Sequence, residues 1–291
     1  MLAEKIVVST IMPPNYSHAH AFDEVSTAIA GGLRRLGENV IQIENFVDSS
    51  NPTILFGGHL LSQDILSQLP PNVIFFNLEQ ADPQAAWMQS PYVQALKSHE
   101  VWDFSITNVQ KLSELHLSSR IKWCPIGYVS ELERIPKQPE EDIDVLFYGS
   151  LNQRRQQVLE RLRSMDLNVQ HVFGIYGQDR DQLIARSKVV LNMHFYDIGI
   201  FEWVRVFYLL INGRAVVSEA SLLTAFDEGI DKIVAFSPYE QLADTCAALA
   251  RDRERREALI AGIPEYFRHR PQDLILRSVL SSSLLSRSGH P

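Results

Sequence analysis

Cysteine is nearly absent: only Cys124 and Cys246 occur in 291 residues, far apart and without CxxC spacing. That excludes a disulfide framework and a cysteine-rich zinc site, and it suits a reducing compartment. Long apolar runs are missing too. No stretch approaches the roughly 18 to 20 apolar residues that span a bilayer, so no integral membrane span is expected. The opening MLAEKIVVSTIMPP lacks a basic start, and its short apolar run reads as a strand rather than a signal sequence. There is no basic excess either. Thirty-five Asp and Glu against 27 Lys and Arg give a net charge of −8, which weighs against nucleic acid as a partner, since phosphate backbones need a basic surface. Neither GxGxxG nor GxxxxGKS/T occurs, so a nicotinamide fold and a P-loop triphosphatase lack support. These absences leave a cytoplasmic globular protein as the expectation.

What is present alternates. Short β-branched runs at Lys5–Thr10, Asn39–Phe46, Thr53–Leu60 and Val73–Leu78 are each followed by polar residues or helical pattern. Gly37 falls where a left-handed helix cap belongs, after Leu36. Helices are expected near Gln84–His99 and Val109–Leu117, with strands at Trp102–Ser105 and Ile121–Ile126. Such alternation means βαβ units, an α/β class and a parallel sheet. Composition changes at ELERIPKQPEE, which places a domain boundary near Glu140. The alternation then restarts with strands at 143–149, 168–173, 188–194, 214–218 and 232–237. Helices are expected at 152–164, 178–187, 201–211 and, amphipathic, from Tyr239 to Ala261, with a helix-like stretch after Glu219. The chain length fits two domains of roughly 140 residues. We therefore expect residues 1–140 and 141–271 as domains, with a last helix at 272–285 able to return to the first.

Ligands of open α/β sheets lie beyond the carboxyl ends of the strands. On that rim the first half would present His18, His20, His59 and Glu79. Histidine titrates near neutrality and a rim carboxylate can deprotonate a hydroxyl, so His18, His20 and Glu79 are candidate acid/base groups, with no single base singled out. Their spacing matches no metal signature, and no metal is expected. In the second half, Gly149 is a strand-to-helix turn, and Ser150 and Asn152 can cap a helix whose free N–H groups favour an anion. Arg154 and Arg155 occupy its first turn, where the dipole disfavours cations unless an anion binds; an exposed Arg pair is the ordinary alternative. Arg186 and Lys188 read as a solvated helix end. Asn192 and His194 alternate on one face of an apolar strand, which makes a ligand contact or a structural role equally open to them. Glu202 and Arg205 share a helical face beside apolar residues, and Glu219 follows the strand RAVVS as a second acceptor for hydroxyls.

The second half resembles the GT-B glycosyltransferases, especially the CgeB-like and group 1 kind. The likeness rests on Tyr148-Gly149-Ser150 with a basic residue after it, the Gly174-Ile175-Tyr176-Gly177 turn, and SKVVLNMH followed by Phe201-Glu202, Arg205 and INGRAVVSE. FFNLEQ, EVWDFS and CPIGY in the first half are similar to the acceptor-side domain of bacterial members. The resemblance implies two Rossmann-like domains with parallel sheets facing a cleft. It implies a nucleotide-sugar donor such as a UDP- or GDP-sugar as co-substrate, transfer of a hexosyl group, no metal and no other cofactor. Under it, Arg154 and Arg155 look like phosphate contacts, Gly174 to Gly177 like the nucleobase turn, and Glu202 like a ribose or sugar carboxylate. The acceptor, whether glycan, small molecule or protein, is not implied. The chain departs from the family pattern at Tyr208, which stands where a helix Glu is usual, and it lacks a second carboxylate at EX7E spacing. A sugar-nucleotide epimerase and a non-catalytic nucleotide-sugar binder are the alternatives.

Overall fold

A computed structural model describes residues 5–82, 85–118, 120–136, 138, 140–197, 199–221, 228–283 and 285. The chain divides into two compact units, one of residues 1–131 with 270–291 and the other of residues 132–269.

In the first unit, β1 (Lys5–Thr10), β2 (Asn39–Glu44), β3 (Thr53–Phe56), β4 (Val73–Asn77), β5 (Glu100–Asp103) and β6 (Ile121–Trp123) are joined by α1 (Asp23–Arg35), α2 (Gln63–Ser67), α3 (Tyr92–Ser98) and α4 (Ile106–Glu114). They form a parallel six-stranded sheet of order β2-β1-β3-β4-β5-β6. β3 and β4 are buried along their whole length because helices cover both faces, which is why they read as continuous apolar runs. Leu55, Phe75, Val101, Leu96 and Leu112 form one of their cores. Gly37 has φ 86°, the left-handed cap its position after α1 implied.

The second unit holds β7 (Ile143–Tyr148), β8 (Val169–Val172), β9 (Ser187–Asn192), β10 (Val216–Glu219) and β11 (Ala235–Ser237) in a parallel sheet of order β11-β10-β9-β7-β8. Its helices are α5 (Gln153–Ser164), α6 (Gly177–Ala185), α7 (Trp203–Ile211), α8 (Leu242–Arg251), α9 (Arg253–Ala261) and α10 (Ile263–Arg268). Val145, Phe147, Val189, Leu191 and Val217 pack against Leu159, Cys246 and Leu249 of α5 and α8. The expected α/β architecture with two parallel sheets is thus what the chain adopts.

Several boundaries differ from the sequence expectation, each for a physical reason. The helix expected over 84–99 is a 3-10 turn at Ala86–Gln89 and then α3, because Pro91 lacks the N–H a continuous helix needs; Pro83 and Gln84 lie outside the described residues. The helix expected from Tyr239 to Ala261 is broken at Asp252, whose extended backbone ends α8 and whose carboxylate accepts from Arg255 N at 2.9 Å to start α9. The strand expected at 232–237 is only its last three residues, since Ile230–Lys232 closes a 3-10 turn. The helix-like stretch after Glu219 falls largely on 222–227, outside the described residues. The last helix, α11, is Gln272–Leu280 and packs on α1. Gln272 and Leu276 lie so close to Gly32 that a Cβ there would be 2.7 Å from each. The division between units falls after Glu131 rather than near Glu140. Asn212 at the end of α7 explains it: its Oδ1 accepts from Arg134 N and Ile135 N at 2.9 and 2.8 Å, and its Nδ2 donates to Leu132 O at 2.9 Å. Three hydrogen bonds from one side chain to this backbone thus claim the polar segment for the second unit.

Candidate functional site

In the second unit the strand order reverses at β7, since β8 lies on one side of it and β9 on the other. That is the topological switch point, where the loops leaving neighbouring strands diverge and open a crevice. The loop after β7 is Gly149–Asn152 and the loop after β9 is Met193–Glu202. Gly149 has φ 152°, in the region that favours glycine. A Cβ there would stand 3.3 Å from the Phe147 ring, 3.5 Å from Arg205 Nη2 and 3.6 Å from Arg155 Nη1, so the bare backbone of Gly149 lies against two guanidiniums. Asn152 caps α5 by accepting from Arg155 N at 3.0 Å, and its amide ties the other loop by donating to Phe195 O at 2.6 Å. Among the described residues the backbone N–H groups of Gln153 and Arg154 remain unengaged, at a helix end that favours anions.

The charged residues form one network with divided roles. Arg154 pairs in fork geometry with Glu219, at 2.8 Å for Nη1–Oε2 and with Nη2 on Oε1, while Nε donates to Asp197 at 3.1 Å. Its guanidinium also lies 4.0 Å from the centroid of the Tyr239 ring. Burial acts to lower the Arg154 pKa, but the Glu219 carboxylate outweighs it and holds the group above the ordinary arginine range. Glu219, only 2% exposed at the end of β10, additionally accepts from His194 N at 3.0 Å. Arg155, 3% exposed, is a strut. It donates to the carbonyls of Ser150 at 3.0 Å and His194 at 3.1 Å, and to that of Met193. Burial pulls its pKa down to about 10, against the pull of Glu202, so it stays charged at neutral pH.

Glu202 precedes α7 without capping it and faces Arg205 at 3.1 Å and Arg155 at 3.5 Å. Arg205 also donates to Asn192 Oδ1 at 3.2 Å and stands 5.2 Å over the Tyr148 ring; Asn192 in turn donates to Ser218 at 3.0 Å. His194 is buried, which lowers its pKa and keeps it neutral, and its Nε2 finds no hydrogen-bond partner among the described residues. Three guanidiniums therefore meet the carboxylates of Glu219 and Glu202 within the network, with the exposed Asp197 as a third counter-charge on Arg154.

Gly174, Tyr176 and Gly177 stand one strand away, after β8. Gly174 and Gly177 have φ 72° and 58°, and a Cβ on either would meet no atom within 4 Å, so the turn is open. His171 connects it to the main site by hydrogen-bonding Gly149 O through Nε2 at 2.8 Å. Ser150 offers its carbonyl and hydroxyl to Arg155. Phe201 packs edge-on against Phe236 at 5.1 Å, an apolar contact beside the network rather than part of it. Tyr239 and Tyr148, the aromatic faces under Arg154 and Arg205, were not expected; Tyr239 follows Arg154 by 85 residues and carries no local signal.

In the first unit the strand order reverses between β1 and β3. After β3, Gly57 turns with φ 74°, and a Cβ on Gly58 would press 2.7 Å from the Phe75 ring, so two glycines deliver His59 to the rim. His59 Nε2 lies 3.5 Å from Glu79 Oε1, with its ring edge-on to Phe22 and Tyr92. Burial lowers the His59 pKa and the Glu79 carboxylate opposes that shift only in part. The Glu79 loop is clamped from below: its carbonyl accepts from Asn77 Nδ2 and Asn108 Nδ2, both at 2.9 Å, and both amides also bond the Asp103 carboxyl. Burial pushes the Asp103 pKa up to about 7, against the donors from Asn77, Ser105 N and Asn108. His18 and His20 lie on a different element. They sit in the 3-10 turn Ser17–Phe22 after β1, with His20 Nδ1 2.9 Å from Asp23 and His18 edge-on to Tyr16. The structure pairs Glu79 with His59 instead.

Among the described residues no three His, Cys, Asp or Glu side chains are placed to hold a metal ion, and no helix is long and apolar enough to cross a membrane.

No protein-family model matches the chain. In sequence it is 27% identical over 235 residues to uncharacterized protein L140 of Acanthamoeba polyphaga mimivirus, covering 77% of this chain and 74% of that one. It is 26% identical over 216 residues to uncharacterized protein L138 of the same virus, covering 70% of this chain but 23% of that protein. These relatives are viral, and they lend no support to the bacterial origin the resemblance implied. In structure the chain is similar to WaaG, a glycosyltransferase involved in lipopolysaccharide biosynthesis, with TM-score 0.60 at 11% identity over 94% of this chain and 98% of that one. It is similar to sucrose-phosphate synthase from Thermosynechococcus elongatus, with TM-score 0.58 at 11% identity over 96% and 100% of the two chains. It is also similar to Anabaena HepE solved with UDP-glucose, with TM-score 0.57 at 11% identity over 94% and 98%. WaaG and sucrose-phosphate synthase are GT-B glycosyltransferases, and theirs is the fold of this chain.

Proposed function

We propose that the protein is a glycosyltransferase that moves a hexosyl group from a nucleotide-sugar donor to an acceptor hydroxyl. The observation that carries this reading is the pair of guanidiniums against Gly149, at the switch point of the second sheet, followed by the start of α5 with the unengaged N–H groups of Gln153 and Arg154. That chemistry suits a diphosphate. Arg205 is the cation we assign to it: Arg155 is committed to backbone carbonyls and Arg154 to the buried Glu219, whereas the carboxylate that Arg205 pairs with, Glu202, is 27% exposed. As the glycosidic bond to phosphate breaks, Arg205 and the helix end offset the charge left on the nucleoside diphosphate, without a metal ion. Glu202, on the exposed side of the network, accepts from ribose or sugar hydroxyls, and the open Gly174–Gly177 turn with Tyr176 receives the base. HepE binds UDP-glucose, which supports a UDP-sugar as the first donor to try.

On the first unit, neutral His59 oriented by Glu79 replaces His18 and His20 as the group assigned to an acceptor hydroxyl. With Nε2 facing the carboxylate, Nδ1 is the atom left to take the proton. The acceptor is a glycan, small molecule or protein, and the site of action the cytoplasm.

A second reading, a nucleotide-sugar binder without transferase activity, is favoured by Tyr208. It stands where the family carries a carboxylate, and it is buried with its hydroxyl donating to Asp181 at 2.6 Å and accepting from Arg134 at 2.8 Å. One experiment separates the readings. The protein is incubated with UDP- and GDP-sugars and candidate acceptors, while free nucleoside diphosphate, new sugar isomers and thermal shift are followed. Acceptor-stimulated diphosphate release is the expected result. Stabilisation without release establishes the binder, a new isomer without release establishes an epimerase, and no response to any nucleotide sugar removes all three.

A further inference from the structure

The outer strand of the first sheet carries the apolar surface the site does not explain. β2 is the edge of that sheet, bonded only to β1. Gln42 faces α1, where Arg34 Nη1 donates to its side chain at 3.1 Å. Successive side chains of a strand alternate, so Ile41 and Ile43 lie on the opposite face. They are 38% and 42% exposed, and Phe46 just beyond is 44% exposed. The cause is local: residues 45–52 connect β2 to β3 with no helix to cover that face. Among the described residues, the outer backbone edge of β2 makes no hydrogen bond either. A mostly apolar, unpaired edge of this kind is a template for another strand, and proteins that stay monomeric usually blunt it with charge or proline. Here β2 has no proline, and its one charge, Glu44, stands at its last position.

We propose that β2 pairs with β2 of a second copy of this chain, antiparallel about a two-fold axis through Gln42. In that register Ile41 stands opposite Ile43 of the second copy and Ile43 opposite its Ile41, all four on the face that lacks a helix. Gln42 meets its own mate, and Glu44 faces Val40. No like charges oppose each other, and the apolar residues pair with apolar residues, which is the unit of stabilisation between antiparallel strands. A shift of the register by one residue sets Ile41 against Gln42 and loses the match. The two copies thereby continue one sheet across the axis, an isologous arrangement that closes on itself.

Sedimentation velocity over a wide concentration range tests the association, and site-directed cross-linking tests the register. The expected species has twice the 33.1 kDa chain mass. Ile43→Lys, on an exposed side chain, weakens dimerisation at least about tenfold, since it spoils both isoleucine pairs. Both native cysteines are buried, so a short bismaleimide reads the introduced thiol. It links Gln42→Cys chains into dimers and leaves Glu44→Cys chains unlinked, because those positions would be about 14 Å apart along the paired strands. A monomer at every concentration, a dimer indifferent to Ile43→Lys, or linking at position 44 in preference to 42 overturns the proposal.

Discussion

Arg155→Met is expected to remove at least about 3 kcal/mol from the stability of the second unit, the largest effect of any change at the network. The reason is that Arg155 does not wait for a ligand. Its guanidinium holds the carbonyls of Ser150, Met193 and His194, which belong to the two loops that diverge at the switch point. An apolar replacement fills the space but takes the Arg155 donor from the Met193 and Ser150 carbonyls, while His194 O keeps Arg154 Nη1 at 3.2 Å; the cost is about 1–3 kcal/mol for each acceptor left unpaired that water does not reach. Lys cannot replace it, because a compact ammonium lacks the planar fork that reaches both loops at once. Urea unfolding followed by circular dichroism, with amide exchange of α5 and β9 to locate the loss, measures it. A cost below about 1 kcal/mol would show that Arg155 is not the strut, and would return it to the set of free cations.

The second large effect concerns the pair beside it. Glu219→Gln is expected to cost about 3 kcal/mol, because it leaves Arg154 charged and mostly buried without its fork partner. Arg154→Met is expected to cost a similar amount for the mirror reason. The double variant Arg154→Met/Glu219→Leu should recover much of the sum, since two matched apolar groups carry no stranded charge. The signature is therefore a coupling of about 2 kcal/mol or more in the double-mutant cycle. Additive losses would mean that the fork contributes nothing as a pair, and that each side chain is held by its other contacts, Tyr239 and Asp197 for Arg154 and His194 N for Glu219.

Much of the architecture was legible because it depends on local chemistry. The buried strands Val73–Asn77 and Ser187–Asn192 are apolar runs of strand length, and only a parallel sheet covered on both faces makes such runs. Asn152 at the start of α5 and Gly37 after α1 are caps with a stereochemical cause, and both appear where the residues implied. The roles within the site were less legible. Arg154 and Arg155 are neighbours on the same first turn, and nothing in the chain distinguishes them. What separates them is where residues far along the chain arrive: the carbonyl of 193 reaches Arg155, Glu219 and Tyr239 reach Arg154, and the carbonyl of 194 is shared by both. His59 was visible as a rim histidine, yet its pairing with Glu79 depends on how the Gly57-Gly58 turn packs on Phe75, a tertiary fact. The unit boundary was displaced because Asn212, a long way down the chain, hydrogen-bonds a segment whose composition reads as linker.

On the proposed function, a nucleoside diphosphate sits at Gly149 against Arg205. Titration calorimetry of UDP and of GDP into the wild-type protein and the Arg205→Ala variant tests it most directly. At least one nucleotide is expected to bind the wild type at a single site. Arg205→Ala is expected to weaken that binding at least about tenfold, the loss of one charge-assisted phosphate contact, while stability falls by no more than about 1–3 kcal/mol, the cost of the buried Asn192 Oδ1 losing its donor. No binding of either nucleotide, or equal affinity in the two proteins, would contradict it.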